Sequence, residues 1–145
     1  LRESALPADR LVLEITESAL VADTDATLRK LRELKALGIK LALDDFGTGY
    51  SSLTWLRRMP ADVVKIDKAF VGGLPGNRND TALIRAILNL GAALSLRTVA
   101  EGVETAEQVS LLRELGCGVA QGYLFAPPLS GDEIKAAAPG HVVLA

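Results

Sequence analysis

Five times along the chain, a short run of β-branched or aliphatic residues gives way to a polar or glycine-containing turn and then to an amphipathic stretch with helical spacing. This alternation restricts the fold more than any other feature, because it is the pattern of parallel β/α units. The runs are Leu11 to Ile15, Ile39 to Leu43, Val63 to Ile66, Arg97 to Ala100 and Val119 to Tyr123. A helix is expected from Asp23 or Thr24, with Leu28, Leu31, Leu34 and Leu37 on one face and Gly38 as its stop. Ser51 or Ser52 should open a short helix that Pro60 closes, and a longer helix should run from near Asp80 to Leu94. Thr105 with Gln108, and Ser130 with Glu133, have the spacing of capping boxes, with Gly116 ending the first of these two helices. Five units of this kind fit five-eighths of a TIM-like (β/α) barrel, a fold of about 250 residues. A doubly wound open sheet is the competing arrangement.

What ends each run narrows the choice. Glu14 closes the first, Asp44 and Asp45 the second, Asp67 the third, Glu101 the fourth, and Gln121 lies in the fifth. In parallel β/α folds the carboxyl ends of all strands lie on one face, so these groups are expected to converge there, where active sites are built. Lys65 and Asp67 are two apart on one run, so their side chains share a face. Taken singly, each residue has a plainer reading. Glu14 and Asp67 suit strand-end turns or helix caps, Asp44-Asp45 a sharp turn, Lys65 a snorkelling side chain, and Gln121 a partner for buried backbone. Trp55, Tyr50, Tyr123 and Phe125 read as packing residues. The coincidence at five consecutive strand ends favours the joint reading.

Composition then decides what such a cluster can hold. The chain has one cysteine, Cys117, and one histidine, His141, too few for a zinc cluster of nitrogen and sulfur ligands. Any metal must be bound mainly by oxygen, which points to a hard divalent ion such as Mg²⁺ or Mn²⁺. Two such ions in an acidic rim attract a phosphate, position water and stabilise both oxygens of an in-line displacement, so metal-assisted phosphoester hydrolysis is the leading chemistry. A net charge of -2, with 16 scattered Lys and Arg, disfavours a polynucleotide partner but not a small nucleotide. With 49% hydrophobic residues in 145, a substantial core is expected and disorder is not. No apolar stretch is long enough to span a bilayer, and the lone cysteine suits a reducing, cytoplasmic setting.

The blocks Leu13-Glu14-Ile15-Thr16-Glu17-Ser18, Asp44 to Leu53, Val64-Lys65-Ile66-Asp67, Val99 to Thr105, and Gln121-Gly122-Tyr123 with Pro127-Pro128-Leu129 resemble, in order, those of the EAL phosphodiesterase family. The resemblance covers roughly Leu11 to Leu129. It implies a TIM-like barrel that hydrolyses cyclic di-GMP to linear pGpG with two Mg²⁺ or Mn²⁺ ions. By that analogy Glu14, Asp44 and Asp45 are metal ligands, with Asp44 the bridge. Glu101 is a second-metal ligand or the general base, and Lys65 positions water or stabilises charge. Asp67 and Gln121 complete the water and substrate network. Glu17 anchors the loop after Asp45, a task that links it to dimerisation, and Glu104 supports the site from outside. The resemblance further implies a homodimer. The family's Glu-Ala-Leu segment and a ligating Asn are expected upstream of Leu1, so residues 1–145 read as the C-terminal portion of a single domain, inactive when isolated. A non-catalytic cyclic di-GMP receptor and a dimerisation module are the alternatives.

Overall fold

The structure is a computed structural model, and it describes residues 5–16, 24–47 and 53–136. The side chains of Thr24, Leu53, Thr54, Trp55, Lys135 and Ala136 are outside that description, as are Glu17, Tyr50, Ser51, Ser52 and His141. A 3₁₀ turn, Ala8–Arg10, leads into β1 (Val12–Thr16), α1 (Thr24–Ala36), β2 (Lys40–Phe46), α2 (Leu53–Arg58), β3 (Val63–Ile66) and α3 (Lys68–Val71). There follow α4 (Arg78–Ala93), β4 (Arg97–Ala100), α5 (Ala106–Glu114) and α6 (Gly131–Ala136). The four strands lie in one sheet in sequence order, β1-β2-β3-β4. The chain divides into two compact units, Leu1–Lys65 with Gly91–Arg97, and Ile66–Leu90 with Thr98–Ala145.

In the first unit β1 and β2 pair in parallel, with Glu14 opposite Ala42 and Thr16 opposite Asp44. Leu41, Ala42 and Leu43 are all buried in succession, the pattern of a strand covered on both faces. Leu28 and Leu31 of α1 are buried as their spacing predicts, but Leu37 is 63% exposed because the helix has already ended at Ala36. Strand β2 also runs three residues beyond the expected end at Leu43, so Asp44 and Asp45 lie within the strand rather than in a turn after it.

Asp62 gathers the starting ends of three strands in this unit. Its backbone N–H donates to Leu41 O (2.8 Å) and its carbonyl accepts from Arg97 N (2.9 Å). Its carboxylate accepts from the Lys35 ammonium (2.6 Å) and from Leu41 N (2.8 Å). Burial alone would raise the Asp62 carboxyl, but the Lys35 and Leu41 hydrogen bonds outweigh it and hold the carboxyl below its ordinary value. A depressed folded-state value contributes stability that is present above the unfolded pKa, about 3.9, and is lost as pH falls through the lower folded value. Asp62→Asn is therefore expected to cost about 1.5 kcal/mol at neutral pH, since hydrogen bonds to a charged group are the stronger kind and this one is partly exposed. The cost should shrink in acid. Urea melts of both proteins at pH 7 and pH 3 check this, and an equal gap at the two values would contradict it.

In the second unit Val71, Leu74, Ile84, Ala100, Val103 and Leu112 are buried. The helix expected from Asp80 to Leu94 is α4, starting two residues earlier at Arg78 and ending one earlier at Ala93. The fifth aliphatic run contributes only an isolated parallel bridge, Ala100 with Ala120, instead of a strand to Tyr123. The chain turns at Gly122, where Phe125 N donates to Gly122 O, and Tyr123 is left 67% exposed. Both capping boxes form as their spacing predicts. Thr105 Oγ1 accepts from Gln108 N, Gln108 Oε1 accepts from Thr105 N, and Ser130 and Glu133 exchange the equivalent pair.

Candidate metal centre

Strand parity sets the first half of the candidate site. Thr16 is in register with Asp44, and Glu14 is two residues before Thr16, so Glu14 and Asp44 point to the same side of the sheet. Lys65 of β3 meets both, with its Nζ 2.7 Å from Glu14 Oε2 and 3.1 Å from Asp44 Oδ1. Lys65 is only 6% exposed. A buried ammonium needs counter-charges, and two carboxylates from neighbouring strands supply them. The plain reading of Lys65 as a snorkelling side chain is therefore set aside.

Asp44 and Asp45 are adjacent in a strand, where successive side chains ordinarily point to opposite faces. Asp45 instead has φ 56°, in the left-handed region. This breaks the alternation, and a carboxylate oxygen of Asp44 lies within 4.8 Å of one of Asp45. Aspartate is among the few residues that enter this region at modest cost. Asp45 N also donates to Asp44 Oδ1 (3.1 Å), which orients the first carboxylate. Two half-buried carboxylates so close repel one another unless a cation lies against them, and their oxygens are the donors a hard divalent ion takes.

The second unit carries the other candidates. Glu101 follows β4, its N–H donating to Ile66 O (3.1 Å), and its Oε1 accepts from Gln121 Nε2 at 2.6 Å. Gln121 reaches it because the Ala100–Ala120 bridge sets the two segments side by side, with Gln121 N donating to Ala100 O (2.8 Å). Asp67 caps α3, its carboxylate accepting from Ala69 N at 2.7 Å, so the helix-cap reading holds for it. Glu104 is exposed, and its backbone N–H donates to Gln108 Oε1 (2.7 Å). Glu17 lies outside the described residues. Burial raises the Cys117 thiol, whose Sγ donates to Val119 O, as befits a small packing residue.

Sequence reasoning missed three parts of this arrangement. The left-handed Asp45 has only the residue type as its signal. The buried Gln108 was visible as half of a capping box but not as a link to another helix. The tight seats of Gly102 and Gly122, each one residue after a candidate site residue, have no signal beyond glycine itself.

Residues 1–128 match the model of the EAL domain. The chain is 46% identical over 129 residues to cyclic di-GMP phosphodiesterase NbdA of Pseudomonas aeruginosa, covering 89% of this chain and 16% of NbdA. It superimposes on the crystal structure of the EAL domain of Mycobacterium smegmatis DcpA with TM-score 0.91 and 42% identity, covering 98% of this chain and 64% of that one. It also matches Klebsiella pneumoniae BlrP1 in a manganese and cyclic di-GMP complex, with TM-score 0.83 and 34% identity over 88% of this chain and 33% of BlrP1. The chain belongs to the EAL domain family, and its α/β architecture is that of the family's TIM-like barrel. It spans about one sixth of the curated relative it matches.

Proposed function

We propose that these residues belong to a domain that hydrolyses one phosphodiester of cyclic di-GMP to linear pGpG, using two divalent ions, Mg²⁺ or Mn²⁺. Residues 1–145 form the C-terminal portion of that single domain and supply most of its chemistry. The observation that carries the reading is the Asp44–Asp45 pair, turned together by a left-handed backbone beside the nearly buried Lys65. The 46% identity to a cyclic di-GMP phosphodiesterase supports the substrate, and the manganese complex of BlrP1 supports the metal.

The donor set fits hard cations, being made of carboxylates alone. Glu14, Asp44, Asp45 and Glu101 would hold the ions, with Asp44 shared between them. When bound, the ions would supply Lewis-acid activation of the phosphate and of the attacking water. Glu101 acts as a ligand or as the base that takes the water proton on its carboxylate, and Gln121 Nε2 holds that carboxylate in orientation at 2.6 Å. Lys65 Nζ positions the water or stabilises charge on the phosphoryl oxygens. Asp67 and Gln121 extend the water and substrate network, Glu17 anchors the loop after Asp45, and Glu104 supports the site from outside.

The direct test is turnover by the full-length protein. Conversion of cyclic di-GMP to pGpG should require Mg²⁺ or Mn²⁺, stop on chelation with EDTA and resume when metal is restored. Tight nucleotide binding without turnover in the presence of metal would replace the enzyme with a receptor. Among the described residues no helix is long and apolar enough to cross a membrane, and a cytoplasmic site of action follows from the nucleotide substrate. A homodimer is the expected assembly, supported by the exposed apolar side chains Tyr123, Leu129 and Ile134. A monomer in sedimentation of the full-length protein would remove it.

A further inference from the structure

Gln108 lies on α5 and has no role assigned above, yet it is only 5% exposed. A buried amide is costly unless both its ends are satisfied. Here they are satisfied by two different segments of the second unit. The Oε1 accepts from Glu104 N (2.7 Å) and Thr105 N (3.0 Å), and the Nε2 donates to Val71 O (3.1 Å). Val71 is the last residue of α3, the four-residue helix that Asp67 opens. Of these contacts a capping box needs only the one from Thr105 N. The bond to Val71 is additional, and it ties the loop after Glu101 to the end of α3.

Two further contacts run along the same seam. Glu101 N donates to Ile66 O, just before Asp67. Gly102 has φ 67°, and a Cβ there would lie 2.5 Å from Lys68 Cβ, so loop and helix are in contact between the two tethers. Residues 101–105 are thus fastened to residues 66–71 at the beginning, middle and end. A helix of one turn has little stability of its own, so its geometry depends on such fastening.

We propose that Gln108 is a positioning residue, whose buried amide joins α3 to the Glu101–Thr105 loop so that the segments bearing Asp67 and Glu101 are held as one block. The kinetic part rests on the phosphodiesterase reading above; the structural part does not. Gln108→Glu keeps an acceptor for Glu104 N and Thr105 N but turns a carboxylate toward the Val71 carbonyl, removing the tie to α3. Gln108→Met removes both halves in nearly the same volume. Thr105→Ala removes the hydroxyl that caps α5 and leaves the tie intact, which makes it the control for helix capping alone.

In the full-length protein, both Gln108 variants should speed amide hydrogen exchange in α3, at Val71 and Gly72, while Thr105→Ala leaves α3 protected. With Mn²⁺ and cyclic di-GMP, both Gln108 variants should lower kcat by roughly 10- to 100-fold, the size of effect seen when groups that orient ligands are removed. KM should stay near wild type, and Thr105→Ala should retain wild-type kcat. Unchanged α3 exchange in a folded Gln108 variant overturns the proposal, and so does a kcat that tracks melting temperature equally in all three variants. Failure of both Gln108 variants to fold would make the residue purely structural, also against the proposal. A wild-type protein without turnover removes the phosphodiesterase reading alone, and the exchange result still decides the tie.

Discussion

Glu101→Gln is expected to lower kcat by roughly 10²- to 10⁴-fold, the range for loss of a positioned general base, while most of the nucleotide binding remains. The substitution is chosen because the geometry survives it. Gln121 Nε2 donates to Glu101 Oε1 at 2.6 Å, and a glutamine at position 101 still offers an oxygen there. The backbone bond from residue 101 to Ile66 O does not involve the side chain. What disappears is the negative charge and the atom able to take a proton from water, so the loss should fall on the chemical step. Steady-state kinetics and calorimetric titration of the full-length protein with cyclic di-GMP separate the two. Wild-type turnover by the variant would remove Glu101 from the mechanism.

Gly122→Ala is expected to cost about 3 kcal/mol of stability, toward the upper end for overpacking, and to abolish turnover with it. A Cβ on residue 122 would overlap the backbone N, O and C of Val103. Backbone atoms cannot swing aside as the end of a flexible side chain does. Val103 is fully buried, its N–H donates to Gln121 O (3.0 Å), and its carbonyl accepts from Leu124 N (3.0 Å). Any shift that admits the methyl group lengthens these bonds and carries Gln121 away from Glu101. Thermal melting of the variant and of Gly118→Ala, where a Cβ meets nothing, gives the comparison. Equal melting temperatures for the two would contradict the close approach at residue 122.

Strand and helix positions were legible wherever periodicity was strong and the flanking punctuation clear. The runs Val63–Ile66 and Arg97–Ala100 are strands with the bounds their composition indicates. Tertiary contacts decided the rest. Asp44 and Asp45 have low strand propensity and follow the expected end of the run at Leu43, yet β2 extends through both of them. The run Val119–Tyr123 has strand composition but yields one bridge, because the approach of Gly122 to Val103 turns the chain. In the candidate site, the candidate polar residues were visible in the sequence near the strand ends, although Glu14 lies in the middle of β1, two residues before it finishes at Thr16. The contact of Lys65 with both Glu14 and Asp44 was not, since it joins three strands distant in sequence. Nor was the rotation of Asp45, which is a backbone property that aspartate permits without announcing it.

The anchoring of Asp62 has a consequence for how such a barrel can change over time. Leu41, Asp62 and Arg97 are joined where β2, β3 and β4 begin, whereas Asp45, Lys65 and Glu101 stand where the same strands finish. Scaffold integrity and reactivity therefore draw on opposite termini of the same short segments. Under the proposed function, a lineage that exchanged Asp45 and Glu101 would forfeit the chemistry and keep the Asp62 anchor, leaving a folded shell free to take up sensing in place of turnover.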